Sequence, residues 1–116
     1  MAEYDVKKFS EERERLNEIV MKYSGLNTKR FFSLDGQVYN DGTLSAKTKE
    51  MMGLVVSLAL RCDDCILYHL LQCHSAGVSD EELEETIAVG LAAAGSITIP
   101  HIRRLWAAWD ELKKEK

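Results

Sequence analysis

A helical pattern runs from Ala46 to Leu60, "AKTKEMMGLVVSLAL", and is cut at Arg61 by "CDDC", residues 62 to 65. Aspartates suit the first turn of a helix, where their charge meets the positive end of the backbone dipole. Asp63 and Asp64 therefore mark a new start, and the chain should break near Arg61. Two helices joined by so short a turn pack as an antiparallel pair. In such a hairpin position 69 stands opposite about position 51, so Glu50 would face His69. In one unbroken helix Glu50 and Cys62 would lie roughly 18 Å apart at ~1.5 Å per residue. The reversal therefore decides what chemistry this chain can assemble.

The rest of the chain also reads as helix. Ser10, Glu11 and Glu12 precede a stripe of Leu16, Ile19, Val20 and Tyr23 that closes at Gly25, which predicts a helix with one buried face. A short helix is expected around Arg30 to Tyr39, with a turn at Asp41-Gly42. Ser45 caps the helix from Ala46. The helix from Asp63 to Ala76 stops at Gly77, and Ser79 with Glu82 forms a capping box for "DEELEETIAVGLAAAG". The small residues closing that segment would allow close approach to a neighbouring helix or subunit. Pro100 suits a first helical turn and opens "HIRRLWAAWDELKKEK". With no strand pattern, the expected fold is all-α: a compact helical domain with a central antiparallel helix pair carrying the CxxC motif. Residues 1–116 should form one domain, with the helix of residues 1–25 packing on it.

Bulk properties exclude several function classes. A content of 46% hydrophobic and 29% charged residues, with one proline, is that of a folded chain. The formal net charge of −4 argues against nucleic-acid partners, which need clustered Lys and Arg. Met51 to Leu60 is about half of the roughly 20 residues required to cross a bilayer, so no membrane partner is expected. The start of the chain lacks the apolar core of a secretory signal, and the expected location is cytoplasmic. In that compartment structural disulfides are kept reduced, so clustered cysteines point to catalysis or metal binding.

All three cysteines and two of the three histidines fall within "CDDCILYHLLQCH", residues 62 to 74. Cys62, Cys65, His69 and Cys73 share one helical stripe, but its ends lie roughly 16 Å apart by helical rise, whereas zinc ligands each sit about 2.0–2.3 Å from one ion. A zinc cage would need a second ligand pair, and His101 is the only other His or Cys, so neither a metal nor another cofactor is expected. A redox pair asks for less. Residues at i, i+3 can join their sulfurs best at a helix end, and Cys62 and Cys65 stand at one. Lowering a thiol pKa from about 8.5 to about 7 takes roughly 2 kcal/mol. A helix terminus supplies about 0.3–1 kcal/mol, and the two aspartates oppose it. A base is required. His69 lies one turn beyond Cys65 and could take its proton directly or through a water, with Glu50 orienting the imidazole.

Glu50, eleven intervening residues, CxxCxxxH at Cys62, Cys65 and His69, and then "AGVSDEELEETIAVGLAAAG" resemble the alkyl hydroperoxidase D-like branch of the carboxymuconolactone decarboxylase family. The resemblance spans roughly residues 26 to 110. It implies an all-helical subunit, a homo-oligomer that is commonly a trimer or hexamer, and thiol-dependent reduction of a hydroperoxide substrate. The oxidised pair would be restored by a dithiol or thiol-protein electron donor. By the same likeness Cys65 is the attacking thiol, Cys62 its resolving partner, and His69 with Glu50 the proton relay. The chain departs from the peroxidase pattern at Asp64, where those members carry a histidine. It also keeps the cysteine pair that the decarboxylases proper lack.

The alternatives are an oligomeric scaffold whose CxxC is a redox or metal sensor, and a lactone decarboxylase-like enzyme. Cys73 reads as a buried filler and His74 as a favourable charge at a helix C-terminus. His101 reads as a surface residue, and Met51, Met52, Trp106 and Trp109 as core or interface.

Overall fold

The structure, a computed structural model, describes residues 5–114. These form six helices with no strand among the described residues: α1 (Val6–Tyr23), α2 (Leu26–Val38), α3 (Ala46–Ala59), α4 (Asp63–Ser75), α5 (Asp80–Ala94) and α6 (Ile99–Lys114), the last entered through a 3-10 turn at Ser96–Thr98. The all-α expectation holds.

Caps set the boundaries. The Ser45 hydroxyl accepts the Thr48 amide, and Ser79 and Glu82 close the capping box as expected. The first helix begins earlier than Ser10 implied, because the Asp5 side chain accepts the Lys8 amide and caps the chain there. Likewise α2 starts at Leu26, four residues before the expected Arg30.

The core lies where α3 packs against α4 and α5, and α4 against α6. Leu54 and Leu58 of α3, Ile66 and Leu70 of α4, Leu83 of α5 and Leu105 of α6 are all essentially solvent-free. Burying each leucine contributes about 1.5–3 kcal/mol. Helix α5 approaches α3 closely because of Gly90. A Cβ at that position would stand 2.9 Å from the Leu58 Cδ2, so the expected close contact is made by this glycine. The alanines that follow it, Ala92 and Ala93, are exposed.

The apolar stripe of α1 is not buried within the chain. Val6 joins the core, but Leu16, Ile19, Val20 and Tyr23 are 40–76% exposed. Val6 is the one buried residue of α1, so among the described residues the later turns of the stripe are left largely uncovered. Helix α2 has no buried residue, and its Phe31, Phe32 and Leu34 are also open.

Candidate functional site

The reversal occurs where the sequence places it. Arg61 takes up the left-handed conformation, with φ of 58°, the one non-glycine residue to do so among those described. Around it the Arg61 amide donates to the Leu58 carbonyl at 3.0 Å and the Cys62 amide to the Ser57 carbonyl at 3.1 Å. These paired bonds form a Schellman closure of α3, normally built on glycine. Cys62 is thus both the residue that completes α3 and the N-cap of α4.

Cys62 and Cys65 are joined as a disulfide, with their Cα atoms 5.3 Å apart. The Cys62 sulfur accepts the Cys65 amide at 3.2 Å, taking the place a serine oxygen usually fills at an N-cap. The free amides of the helix start therefore serve Cys62. Cys65 is exposed and Cys62 is half-buried.

Glu50 and His69 meet across the α3–α4 hairpin. His69 Nδ1 donates to Glu50 Oε1 at 2.9 Å, and both side chains are about nine-tenths buried. The carboxylate can only accept, so it holds the proton on Nδ1 and leaves Nε2 as the basic nitrogen. The ring rests on the backbone of α3 at Gly53, where a Cβ would come within 2.7 Å of its Cε1. Among the described residues no hydrogen bond links His69 to either sulfur of the closed disulfide, so a proton passing between them needs a bridging water or an opened pair.

Two tyrosines flank the imidazole. The Tyr39 and Tyr68 rings lie 5.3 and 5.1 Å from that of His69, and the Arg13 guanidinium of α1 stacks 3.9 Å above Tyr68. Desolvation raises both phenol pKa values, helped by the Glu50 charge. On the α3 side an open groove of about 380 Å³ reaches His69 between Tyr39, Leu44, Met52, Gly53 and Val56. Its lining is largely apolar, but neither cysteine of the CxxC borders it. Lys49 at its edge donates to the Val38 and Asn40 carbonyls at 2.8 and 2.7 Å, tying down the end of α2.

Tyr39, Tyr68, Gly53 and Arg13 escaped the sequence reading. Only the adjacency of Tyr68 to His69 and the spacing of Gly53 from Glu50, one turn along α3, could have signalled them. His101 also corrects that reading. Its side chain is 17% exposed and its Nδ1 lies 2.8 Å from Asp63 Oδ1, so it belongs to an inter-helix contact rather than the open surface. Cys73 is fully buried, and burial pushes its thiol up to about 12. No cluster of three or more metal-ligating side chains occurs among the described residues, and none of their helices is long and apolar enough to cross a membrane.

Six helices among the described residues, with a CxxC at the turn of a central pair and a Glu–His pair buried beside it, define a class of thiol-bearing helical proteins. The chain belongs to the carboxymuconolactone decarboxylase family, whose sequence profile matches residues 26–108. It is similar to a Thermotoga maritima member of that family described with a possible involvement in antioxidative response. The two share 54% identity and a TM-score of 0.88 over 92% of this chain and 91% of that one. A Legionella pneumophila family member, determined in its apo form, superposes with a TM-score of 0.83 over 91% of this chain and 95% of that one; at 23% identity it bears on the fold alone. An uncharacterized Cupriavidus necator protein is 29% identical over 62% of this chain, and the match spans only 64% of that protein's length.

Proposed function

We propose that this protein reduces hydroperoxides with its CxxC pair, drawing electrons from a dithiol or a thiol protein. The observation that carries this reading is the buried Glu50–His69 bond at 2.9 Å, one helical turn from Cys65. A carboxylate and an imidazole out of water cost free energy unless they are paired, and a purely architectural helix pair has no need of either. The exposure of Cys65 lets a peroxide reach it. The antioxidative description of the Thermotoga maritima relative agrees with this chemistry.

In the reduced enzyme His69 Nε2 accepts the Cys65 proton, directly or through water. The thiolate attacks one peroxide oxygen, the O–O bond breaks, and the departing alkoxide takes the proton back from His69 and leaves as an alcohol. Cys65 is then a sulfenic acid. The Cys62 sulfur attacks Cys65, water leaves, and the disulfide closes. An external dithiol reopens it and becomes a disulfide in turn. Asp64 disfavours the thiolate through its charge, but it is exposed, so solvent screens that charge.

The open apolar residues of α1 and α2 fit a homo-oligomer, in which α1 would pack partly on a second subunit; residues 1–4 of the expected N-terminal helix lie outside the described residues. Single-domain organisation over the whole chain is part of the same proposal. Cys65→Ser should lower hydroperoxide reduction in the presence of dithiothreitol by at least ~10²-fold. A variant as fast as the parent would sink the assignment.

A further inference from the structure

The first residue of α4, Asp63, is held from across the molecule. His101 and Arg104, one turn apart at the start of α6, both reach its carboxylate: His101 Nδ1 lies 2.8 Å from Oδ1, and Arg104 Nε donates to Oδ2 at 3.0 Å. Arg104 Nη2 also stands 3.1 Å from the same His101 nitrogen. That nitrogen cannot donate to one neighbour and accept from the other in one tautomer. The bond to the carboxylate is charge-assisted at both ends of the trio, so Nδ1–H goes to Asp63 and the guanidinium is anchored through Nε. Among the described residues no hydrogen bond or ion pair joins these three side chains to the Glu50–His69 pair, and the peroxide chemistry above does not use them.

Their place in the chain suggests what they do. Asp63 is bonded in sequence to Cys62, whose sulfur caps the same helix turn. A bare carboxylate there would oppose a thiolate on either cysteine, and Asp64 already adds one such charge. The Arg104 cation offsets the charge of Asp63, and its bond, with that of His101, ties the carboxylate to α6.

Resting on the redox reading above, we propose that Asp63, His101 and Arg104 form a positioning cluster that sets the reduction potential of the Cys62–Cys65 pair. Opening the disulfide takes two electrons and two protons from a dithiol, which is oxidised to its own disulfide. Whatever stabilises a thiolate in the opened pair makes the pair more oxidising. The cluster tunes this balance by charge, and so its two ionic members must act with opposite sign.

The experiment is equilibration of the purified protein with dithiothreitol at graded thiol-to-disulfide ratios, followed by alkylation and mass measurement of the Cys62–Cys65 state. Arg104→Met leaves Asp63 uncompensated and should make the pair about fivefold harder to reduce, ~20 mV more negative at ~30 mV per tenfold. Asp63→Asn leaves Arg104 uncompensated and should shift the equilibrium about fivefold the other way. The double variant, neutral at both positions, should return near the parent, and Arg104→Lys should stay close to it. His101→Ala, which removes one bond to Asp63 but leaves the Asp63–Arg104 ion pair, should shift it less than either single charge change. High salt should shrink the two charge effects, because the Debye length falls to ~3 Å at 1 M.

A cluster that only fastens α4 to α6 would move both single variants in the same direction, and that result overturns the proposal. So would single variants that keep the parent potential. If the parent disulfide does not exchange with dithiothreitol at all, the redox reading falls and this inference falls with it. If it exchanges but Cys65→Ser loses no peroxide reduction, only the peroxidase reading falls, and the potential measurement still decides the cluster.

Discussion

The imidazole of His69 lies flat on the backbone of Gly53, with room for nothing larger than hydrogen between them. A methyl group at position 53 would stand 2.7–2.9 Å from three ring atoms, well inside van der Waals contact. The Glu50 carboxylate of the same helix grips the ring edge at Nδ1, 2.9 Å away, so the ring cannot lift off Gly53 without straining that bond. Gly53→Ala should therefore reverse the usual preference for alanine in a helix, which is about 0.5–1 kcal/mol. The expected outcome is a net loss of roughly 1–3 kcal/mol in thermal unfolding and at least ~10-fold in peroxide turnover. Unchanged stability and turnover would show that His69 does not depend on this contact.

Glu50→Gln isolates the charge of the carboxylate from its shape. Glutamine can still accept from His69 Nδ1, but it no longer stabilises an imidazolium, so Nε2 becomes a weaker base. The Cys65 thiol then deprotonates at higher pH, and the rising limb of the peroxide-reduction profile should move upward by roughly one pH unit. His69→Ala should move it further and lower the plateau. Thiolate absorbance at 240 nm against pH reads the shift directly. A titration that is the same in all three proteins would remove the relay.

The turn itself can be tested at Arg61. Left-handed backbone costs a residue with a Cβ about 1–2 kcal/mol, and glycine nothing, although glycine loses more chain entropy on folding. Arg61→Gly should thus match the parent stability or exceed it by up to ~1 kcal/mol. A β-branched Arg61→Val should lose ~1 kcal/mol or more, since such residues rarely take positive φ. Chemical denaturation of the two variants gives the comparison, and the opposite order would mean that the turn at 58° is not the one used in solution.

Much of this site is visible in the sequence because it is built from local signals. The Asp63-Asp64 pair announces a helix start, and the distance from Glu50 to the turn fixes which residue it meets. Capping residues do the same for α3 and α5, where Ser45, Ser79 and Glu82 act through bonds three residues long. What stayed hidden is decided by packing between elements distant in the chain. Nothing local to His101 says that it will lie against Asp63, 38 residues earlier, and nothing local to Arg13 says that it will stack on Tyr68. The stripe Leu16, Ile19, Val20 and Tyr23 shows a different limit. Periodicity correctly predicts an apolar helix face, but it cannot say whether that face meets its own chain or another.

Cys73 provides a pH signature that is independent of catalysis. Its thiol is pushed from about 9 up to about 12, chiefly by burial and further by the charge of Glu50, so the folded protein keeps this proton where the unfolded chain loses it. Between those values the unfolded state binds fewer protons than the native one, and the free energy of unfolding falls as pH rises. The full contribution is present below pH 9 and is lost progressively toward pH 12, with a slope of at most ~1.4 kcal/mol per pH unit. Tyr39 and Tyr68, raised in the same sense, add to the alkaline end of that decline. Cys73→Ala should flatten the slope while lowering stability at neutral pH by roughly 1 kcal/mol through lost packing. It should leave peroxide reduction intact, and iodoacetamide should label the parent thiol only after unfolding. Rapid labelling of Cys73 in the native protein would contradict both its burial and the titration expected from it.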